Sequence, residues 1–283
     1  MSMRSVWKKL NKNPYNYAKD LSRKDLEKII KQANVDYYNN ESQLTDEIYD
    51  IVKNILEYKY PTSELLTEVG AIVLSNKVKL PTYMGSMDKL KPDTSALKRW
   101  LAKYSGPYIV SDKLDGISLL IDCNHSPPKA YTRGNGKEGQ DVSWLAEYIT
   151  IGNINTGFVR GELIVSKEQW EDIKFISQNP RNFVSGYISR KKISKSWMKY
   201  IDFVAYEYIT EPRLSFKEQL ELLTKKKYNV VRYSVHDTLT SKTLSDILIA
   251  NRSSSSYEID GVIITNNEVH ERIPNKNPPY AKA

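Results

Sequence analysis

Five apolar or β-branched runs, at residues 108–110, 117–121, 158–165, 203–208 and 259–265, constrain the fold of this chain most. Such runs read as buried strands. Between them lie short helical patterns, for example 167–176 and 216–225. Strands mixed with helices, without regular alternation, predict an α+β domain of antiparallel sheets with flanking helices. No repeat is evident. The serine-rich stretch 252–257 reads as a loop before the last strand.

The first 80 or so residues have a helical texture instead. Ser22 can cap a helix, and Asp25 three residues on imitates a capping box. Leu26, Ile29, Ile30 and Ala33 then follow helical spacing, until Asn39 and Asn40 interrupt it. Thr45 can cap a second helix whose first turn holds Asp46 and Glu47. Ile48, Val52, Ile55 and Leu56 give that helix an apolar stripe, and Pro61 ends it. The expected organisation is a helical subdomain over 1–80, folded as a hairpin, followed by a second domain over 81–283.

Composition narrows the setting. The chain has 283 residues, with 42 Lys and Arg against 34 Asp and Glu, a net charge of +8. That excess fits a partner with phosphates and is equally ordinary among soluble proteins. A single cysteine, Cys123, excludes a disulfide framework and any zinc site built from several thiolates of this sequence. No stretch reaches the ~20 apolar residues of a membrane span, and the N-terminus lacks a signal-peptide core. A soluble intracellular protein is expected. The 20 Tyr against 5 Phe fit base stacking and fit an AT-rich coding sequence equally well.

Six groups of residues carry chemistry. Lys113-Leu114-Asp115-Gly116 places an amine at a strand-to-turn junction beside a carboxylate. That suits a nucleophile attacking phosphorus, and a solvated surface lysine has the same pattern. A lysine must lose its proton to attack, which burial or a nearby cation such as Arg133, Arg190 or a metal would favour. Thr132-Arg133-Gly134-Asn135-Gly136-Lys137-Glu138-Gly139-Gln140-Asp141 follows the strand-like Ala130-Tyr131 and is either a ligand-cradling loop or a hairpin turn. In Val159-Arg160-Gly161-Glu162-Leu163, the carboxylate of Glu162 interrupts an apolar strand, which is costly unless it is exposed, paired or ligand-bound. Asn179-Pro180-Arg181-Asn182 and then Arg190, Lys191 and Lys192 put cations after a turn, which suits phosphates or a solvated basic face. Glu258 and Asp260 stand two apart on one face at the mouth of the last strand, a pair that can hold Mg²⁺ through water or can be ordinary strand-end turn carboxylates. Asp46, Tyr49 and Asp50 share one face of the second helix, and carboxylates so placed repel unless they meet a polar ligand.

Taken in order, these groups resemble the NAD-dependent DNA ligases over nearly the whole chain. Lys113-Leu114-Asp115-Gly116 is similar to that family's adenylated-lysine motif, and Thr132-Arg133-Gly134-Asn135-Gly136 to its Thr-Arg-Gly-Asp-Gly motif. Arg160-Gly161-Glu162, Asn179-Pro180-Arg181-Asn182 and Ile259-Asp260-Gly261-Val262 occur in the family's order. Tyr37-Tyr38 and the stretch from Asp46 to Asp50 resemble its nicotinamide-mononucleotide segment, and Ser86-Met87-Asp88 the approach to its adenine pocket.

The resemblance implies a ligase-type nucleotidyltransferase domain, of the ATP-grasp-like kind, behind the helical subdomain. It implies NAD and Mg²⁺, nicked double-stranded DNA as partner, a monomer, no membrane association and a cytoplasmic or nuclear location. Lys113 would take AMP from NAD, expelling nicotinamide mononucleotide. Asp115, Glu162 and Asp260 would assist, with Glu162 and Asp260 at the metal. Tyr38, Asp46, Tyr49, Asp50, Ser86, Met87, Ser111, Arg133, Glu162, Arg181 and Arg190 would bind the dinucleotide. The family carries His where Asn39 stands, Glu at Ser111, Asp at Asn135 and Lys at Thr265. Asp112, next to Ser111, should point to the other face of its strand. The residues from Pro279 to Ala283 resemble the approach to the last nucleotidyltransferase motif, so a shortened chain is expected, with its lysine missing unless Lys282 substitutes. The alternatives are an ATP-dependent polynucleotide ligase or capping-type enzyme, and a catalytically weakened nucleotide- or nucleic-acid-binding module.

Overall fold

The computed structural model describes residues 3–38, 43–66, 77–90, 95–177, 179–188 and 195–283. For Tyr37, Tyr38, Asp46, Glu47, Asp50, Asn54 and Lys195 it describes the backbone only.

Among its described residues the N-terminal region packs four α-helices: α1 (Met3–Lys12), α2 (Pro14–Ala18), α3 (Arg23–Tyr38) and α4 (Asp46–Lys59). Ser22 starts α3 as its sequence predicts: its Oγ accepts the Asp25 N–H at 3.2 Å and donates to the Asp25 carboxylate at 2.6 Å. Thr45 Oγ1 accepts the Ile48 N–H at 3.3 Å and starts α4. These contacts satisfy N–H groups that a helix cannot pair internally. Leu26, Ile29, Ile30 and Ala33 of α3 meet Val52, Ile55 and Leu56 of α4 in a closed apolar core. The hairpin is larger than expected, because Val6, Trp7 and Leu10 of α1 and Ala18 of α2 complete that core.

The described residues of the rest of the chain build three sheets. In order its elements are β1 (Lys77–Lys79), α5 (Ala96–Lys103), β2 (Tyr108–Leu114), β3 (Ile117–Asp122), β4 (Lys129–Thr132), β5 (Glu138–Gln140) and β6 (Phe158–Ile164). Then come α6 (Lys167–Ile173), α7 (Pro180–Ile188), β7 (Asp202–Ile209), α8 (Phe216–Lys225), β8 (Asn229–Val230), β9 (Tyr233–His236), α9 (Ser241–Ser254), β10 (Ile259–Asn266) and β11 (Ala281–Lys282). A four-stranded sheet has the order β11-β10-β2-β9, a five-stranded sheet β4-β3-β6-β7-β8, and β1 pairs with β5. Every pairing is antiparallel except β7 with β8. All five expected strands are present within a residue or a few of their predicted ends.

One expectation fails. The serine-rich stretch is not a loop throughout, since α9 runs on to Ser254. Ser254 Oγ donates to the Ala250 carbonyl at 2.7 Å, so a serine at the last turn binds the helix's own backbone instead of opening it. The segment after Asn179 is also more than a turn. Asn179 Oδ1 accepts the Asn182 N–H at 2.7 Å and Pro180 opens α7, the Asn-then-Pro order that favours a helix start.

The sheets are amphipathic in a way that shapes the site. The main core lies on one face of the five-stranded sheet, where Leu119, Ile121, Val159, Leu163, Phe203 and Ala205 meet α7 and α8. On the four-stranded sheet, Val110 and Ile264 face outward against Trp100 of α5 and Ile247 of α9. Strand alternation therefore turns Ser111 and Lys113 of β2, and Gly261, Ile263 and Thr265 of β10, to the inner side.

Candidate active site

A cleft of about 780 Å³ opens between the two larger sheets. The chain crosses from one sheet to the other at Asp115-Gly116, directly after Lys113. Gly116 is required there. A Cβ at that position would lie 2.3 Å from the Leu163 carbonyl oxygen and 2.8 Å from Glu162 Cγ, closer than atoms can pack. The glycine lets β2 and β6 converge, which brings Lys113 and Glu162 to one cavity.

Two bulges aim side chains into this space. Ile259 pairs with Leu114 and Gly261 with Lys113, so Asp260 is the extra residue of β10. Arg160 pairs with Glu207 and Gly161 with Ala205, so Tyr206 is the extra residue of β7. A bulge breaks the two-residue alternation and re-aims the side chain. Asp260 thereby reaches Lys113, and their carboxylate and ammonium are in direct contact. The same bulge defeats the expected Glu258–Asp260 pair. Glu258 is exposed ahead of the strand, and its carbonyl accepts the Asp115 N–H at 3.1 Å.

Of the expected site residues, Lys113, Ser86, Met87, Ser111, Arg133, Glu162, Arg181 and Asp260 all line this one cleft. Asp115 borders it through Arg181, whose guanidinium donates to Asp115 Oδ1 at 2.8 Å. Burial pushes the Asp260 carboxyl up, yet its hydrogen bond to Lys113 and the charges of Lys113, Lys89 and Arg181 outweigh that and hold it below its ordinary range. Glu162 behaves oppositely. Burial raises its pKa to about 7, against the opposing pull of Arg181, Arg133, Lys113 and Arg160. Glu162 is thus a buried acid poised near neutrality among cations.

Other expectations distribute unevenly. Tyr49 packs against the helical core. Lys53, one turn further along α4, lines the cleft and was not anticipated. The side chains of Tyr38, Asp46 and Asp50 lie outside those described, as do Asn39 and Arg190 altogether. Asp112 does point to the far face, where Asn251 of α9 donates to its Oδ1 at 2.7 Å. The glycine loop forms a tight turn as well as a cleft wall. Gly134 and Gly136 adopt φ of +52° and +88°, and Asn135 Oδ1 accepts the N–H groups of Lys137 and Glu138 at 3.0 and 2.8 Å. An amide oxygen does there what a carboxylate would do. Lys282 is engaged elsewhere: its Nζ donates to Asp88 at 2.6 Å.

A buried ionic network was not read from the sequence. Arg160 is fully buried on β6 and donates to Glu207 at 2.8 Å and to the Gly85 carbonyl at 3.0 Å. Arg272 contacts the other Glu207 oxygen and donates to the Tyr83 carbonyl at 2.8 Å. Burial pushes Glu207 up, but Arg272 and Arg160 together hold it below its ordinary value. Tyr206 lies under the Arg160 guanidinium, 5.7 Å from its centre, and shares a 2.6 Å hydrogen bond with Ser118. Burial pushes the Tyr206 phenol up to about 12, so it stays a neutral hydroxyl. An arginine on the motif strand was the available signal, since a buried cation requires a buried anion.

Among the described residues no group of three or more His, Cys, Asp and Glu is arranged to hold a metal ion. No described helix is long and apolar enough to cross a membrane.

With this geometry in view, comparison with known proteins is direct. Residues 76–276 match the model of the NAD-dependent DNA ligase adenylation domain. A DNA ligase of Acanthamoeba polyphaga mimivirus is 38% identical over 98% of this chain and 45% of its own length. A relative in Invertebrate iridescent virus 6 is 35% identical over 90% of this chain and 42% of its own length. The DNA ligase of Treponema pallidum is 27% identical over 87% of this chain and 33% of its own length. The chain thus spans less than half the length of these curated relatives. The matched segment contains most of the cleft wall, from Leu80 to Lys276, with Lys113 and Asp260 in contact within it, and the chain belongs to the NAD-dependent DNA ligase adenylation domain family.

Proposed function

We propose that this chain takes NAD as an adenylyl donor and holds the AMP on Lys113. The observation that supports this best is the placement of Lys113 at the sheet crossing, in contact with Asp260 and facing a cleft of about 780 Å³, a size suited to a nucleotide. In the reaction, Lys113 Nζ forms a bond to the phosphorus of the AMP half. The bond from that phosphorus to the bridging oxygen breaks, and its electron pair leaves with nicotinamide mononucleotide. One ammonium proton passes to Asp260 before the attack, and the second leaves to water as the phosphoramidate forms. Arg133 and Arg181 stabilise the charge that develops on the phosphate oxygens. Glu162 holds the ribose.

In this reading the helical region over 1–80, through Lys53 and the face carrying Tyr38, Asp46, Tyr49 and Asp50, covers the nicotinamide half. The region over 81–283 binds the adenosine half. The AMP is destined for the 5′-phosphate of nicked DNA, where Arg190 and Arg181 meet phosphates. The reacting groups all come from one chain, which fits a monomer. Mg²⁺ is proposed as a companion of the nucleotide phosphates, not a resident ion, because Asp260 is already paired with Lys113 and Asp115 with Arg181.

Intact-mass spectrometry after incubation with NAD and Mg²⁺ tests the proposal. An added AMP, absent from Lys113→Ala, is expected. No adduct overturns the reading, and an adduct formed from ATP but not from NAD replaces it with the ATP-dependent alternative.

A further inference from the structure

The edge of the four-stranded sheet continues past β11. Asp88 bridges Lys282 in parallel, the Ala283 N–H donates to the Asp88 carbonyl at 3.0 Å, and the Leu90 N–H donates to the Ala283 carbonyl at 2.7 Å. Residues 88–90 therefore run as a short strap along the sheet. Asn277 also holds this strap: its Oδ1 accepts the Ser86 N–H at 2.9 Å and its Nδ2 donates to Asp88 at 2.8 Å. The side chains on either side of Lys89 are fixed to the outer face. Lys282 stands opposite Ile264, which faces outward, and its Nζ donates to Asp88 at 2.6 Å. Leu90 packs with Trp100, Val110 and Ile264. Alternation then turns Lys89 to the inner face, where it lines the cleft.

The cations of the cleft divide into spent and free. Lys113 is taken by Asp260, Arg181 by Asp115, and Arg160 and Arg272 by Glu207. Arg213 is held between Glu211 and Glu271. Among the described residues, Lys53, Lys89, Arg133 and Lys276 line the cleft without a side-chain hydrogen bond or ion pair. Of these four, Lys89 bears most on the Asp260 carboxylate, so it is the free cation at the reacting end. Arg133 belongs to the opposite wall, on the loop after β4.

We infer that Lys89 is a further catalytic residue of this cleft, whose ammonium binds the phosphate oxygens of the dinucleotide from the four-stranded side as the bond to nicotinamide mononucleotide breaks. The inference rests on the adenylyl-transfer reading above. Lys113 must give up its positive charge to attack, so the cation nearest the phosphorus is lost just as negative charge develops there. Lys89 takes no part in that proton transfer and supplies the replacement from the same wall. It forms no covalent bond, so the atoms exchanged are those already given for Lys113. Charge held in place for the transition state raises the maximal rate more than it raises affinity.

The test follows adduct formation from NAD and Mg²⁺ in single turnovers by intact mass, for the wild type, Lys89→Met and Lys89→Arg. Lys89→Met should lower the maximal rate by about tenfold or more, and change the half-saturating NAD concentration by less than about threefold. Lys89→Arg keeps the charge and should recover most of the rate. The midpoints of chemical denaturation should agree for all three proteins, since Lys89 is exposed. A smaller fall in the maximal rate of Lys89→Met overturns the inference. So does a loss confined to the half-saturating concentration, or an arginine variant no faster than the methionine one. Each of these leaves the proposed function intact. No adduct on the wild type removes the proposed function, and this inference with it.

Discussion

The two walls of the cleft solve opposite problems. The β6–β7 wall buries charge and satisfies most of it internally: Arg160, Glu207 and Arg272 bind one another and the carbonyls of Gly85 and Tyr83. The β2–β10 wall buries almost no charge on its inner side, with Lys113 and Asp260 at its solvent-facing end. The first wall is a scaffold whose polar groups are spent on holding shape. The second turns Ser111, Lys113, Asp260 and Thr265 to the cleft. Glu162 is the exception on the scaffold side, a buried carboxylate surrounded by cations yet shifted upward by burial. The comparison teaches that burial alone does not identify a site residue. What matters is whether the protein has already supplied its partner.

That contrast can be broken most severely at Lys113. Lys113→Ala should lose the AMP adduct completely while changing unfolding free energy by less than about 1 kcal/mol, since a part-exposed surface ion pair contributes little. A large loss of stability measured by chemical denaturation would move Lys113 to the scaffold side. Glu207→Ala should do the reverse. It strands Arg160 without its anion, and a broken buried pair costs roughly 3–5 kcal/mol. Replacing Arg160 and Glu207 together by Met and Leu should recover most of that loss in the same denaturation experiment. Failure to recover would mean that the network does more than satisfy itself.

Glu162 sharpens the comparison through pH. Its folded pKa, about 7, lies above the ordinary 4.5. Its favourable contribution is therefore complete below about pH 4.5 and is lost as pH rises through 7. Glu162→Gln should match the wild type in stability near pH 4.5 and exceed it by about 3 kcal/mol above pH 7 in the ligand-free protein. A difference that stays constant across that range would show that Glu162 is not buried as an acid. The smallest expected effect lies outside both walls. Thr45→Ala removes the cap of α4 and should cost about 1 kcal/mol at every pH. A pH-dependent loss there would couple the helical region to the titration of the cleft.

Legibility in the sequence follows the range of the contacts. Ser22 and Thr45 were readable as caps because a cap and its N–H lie three residues apart. The five strands were readable because apolar runs declare themselves locally. Lys113, Glu162, Arg181 and Asp260 were readable because their motifs keep their order along the chain. The network was hidden, since Arg160 and Glu207 lie 47 positions apart and Glu207 and Arg272 lie 65 apart. The bulges at Tyr206 and Asp260 were hidden too, because strand alternation is what they violate.

The amino-acid sequence by itself determined the two textures, the helix starts, the strand cores and the family to which the chain belongs, all of which depend on local patterns or ordered motifs. Only the tertiary structure decided which polar groups are spent and which are open. Whether Ser111 is a site residue or a filler depends on what lies across a cleft from it, and strand pairing sets that distance where chain position does not.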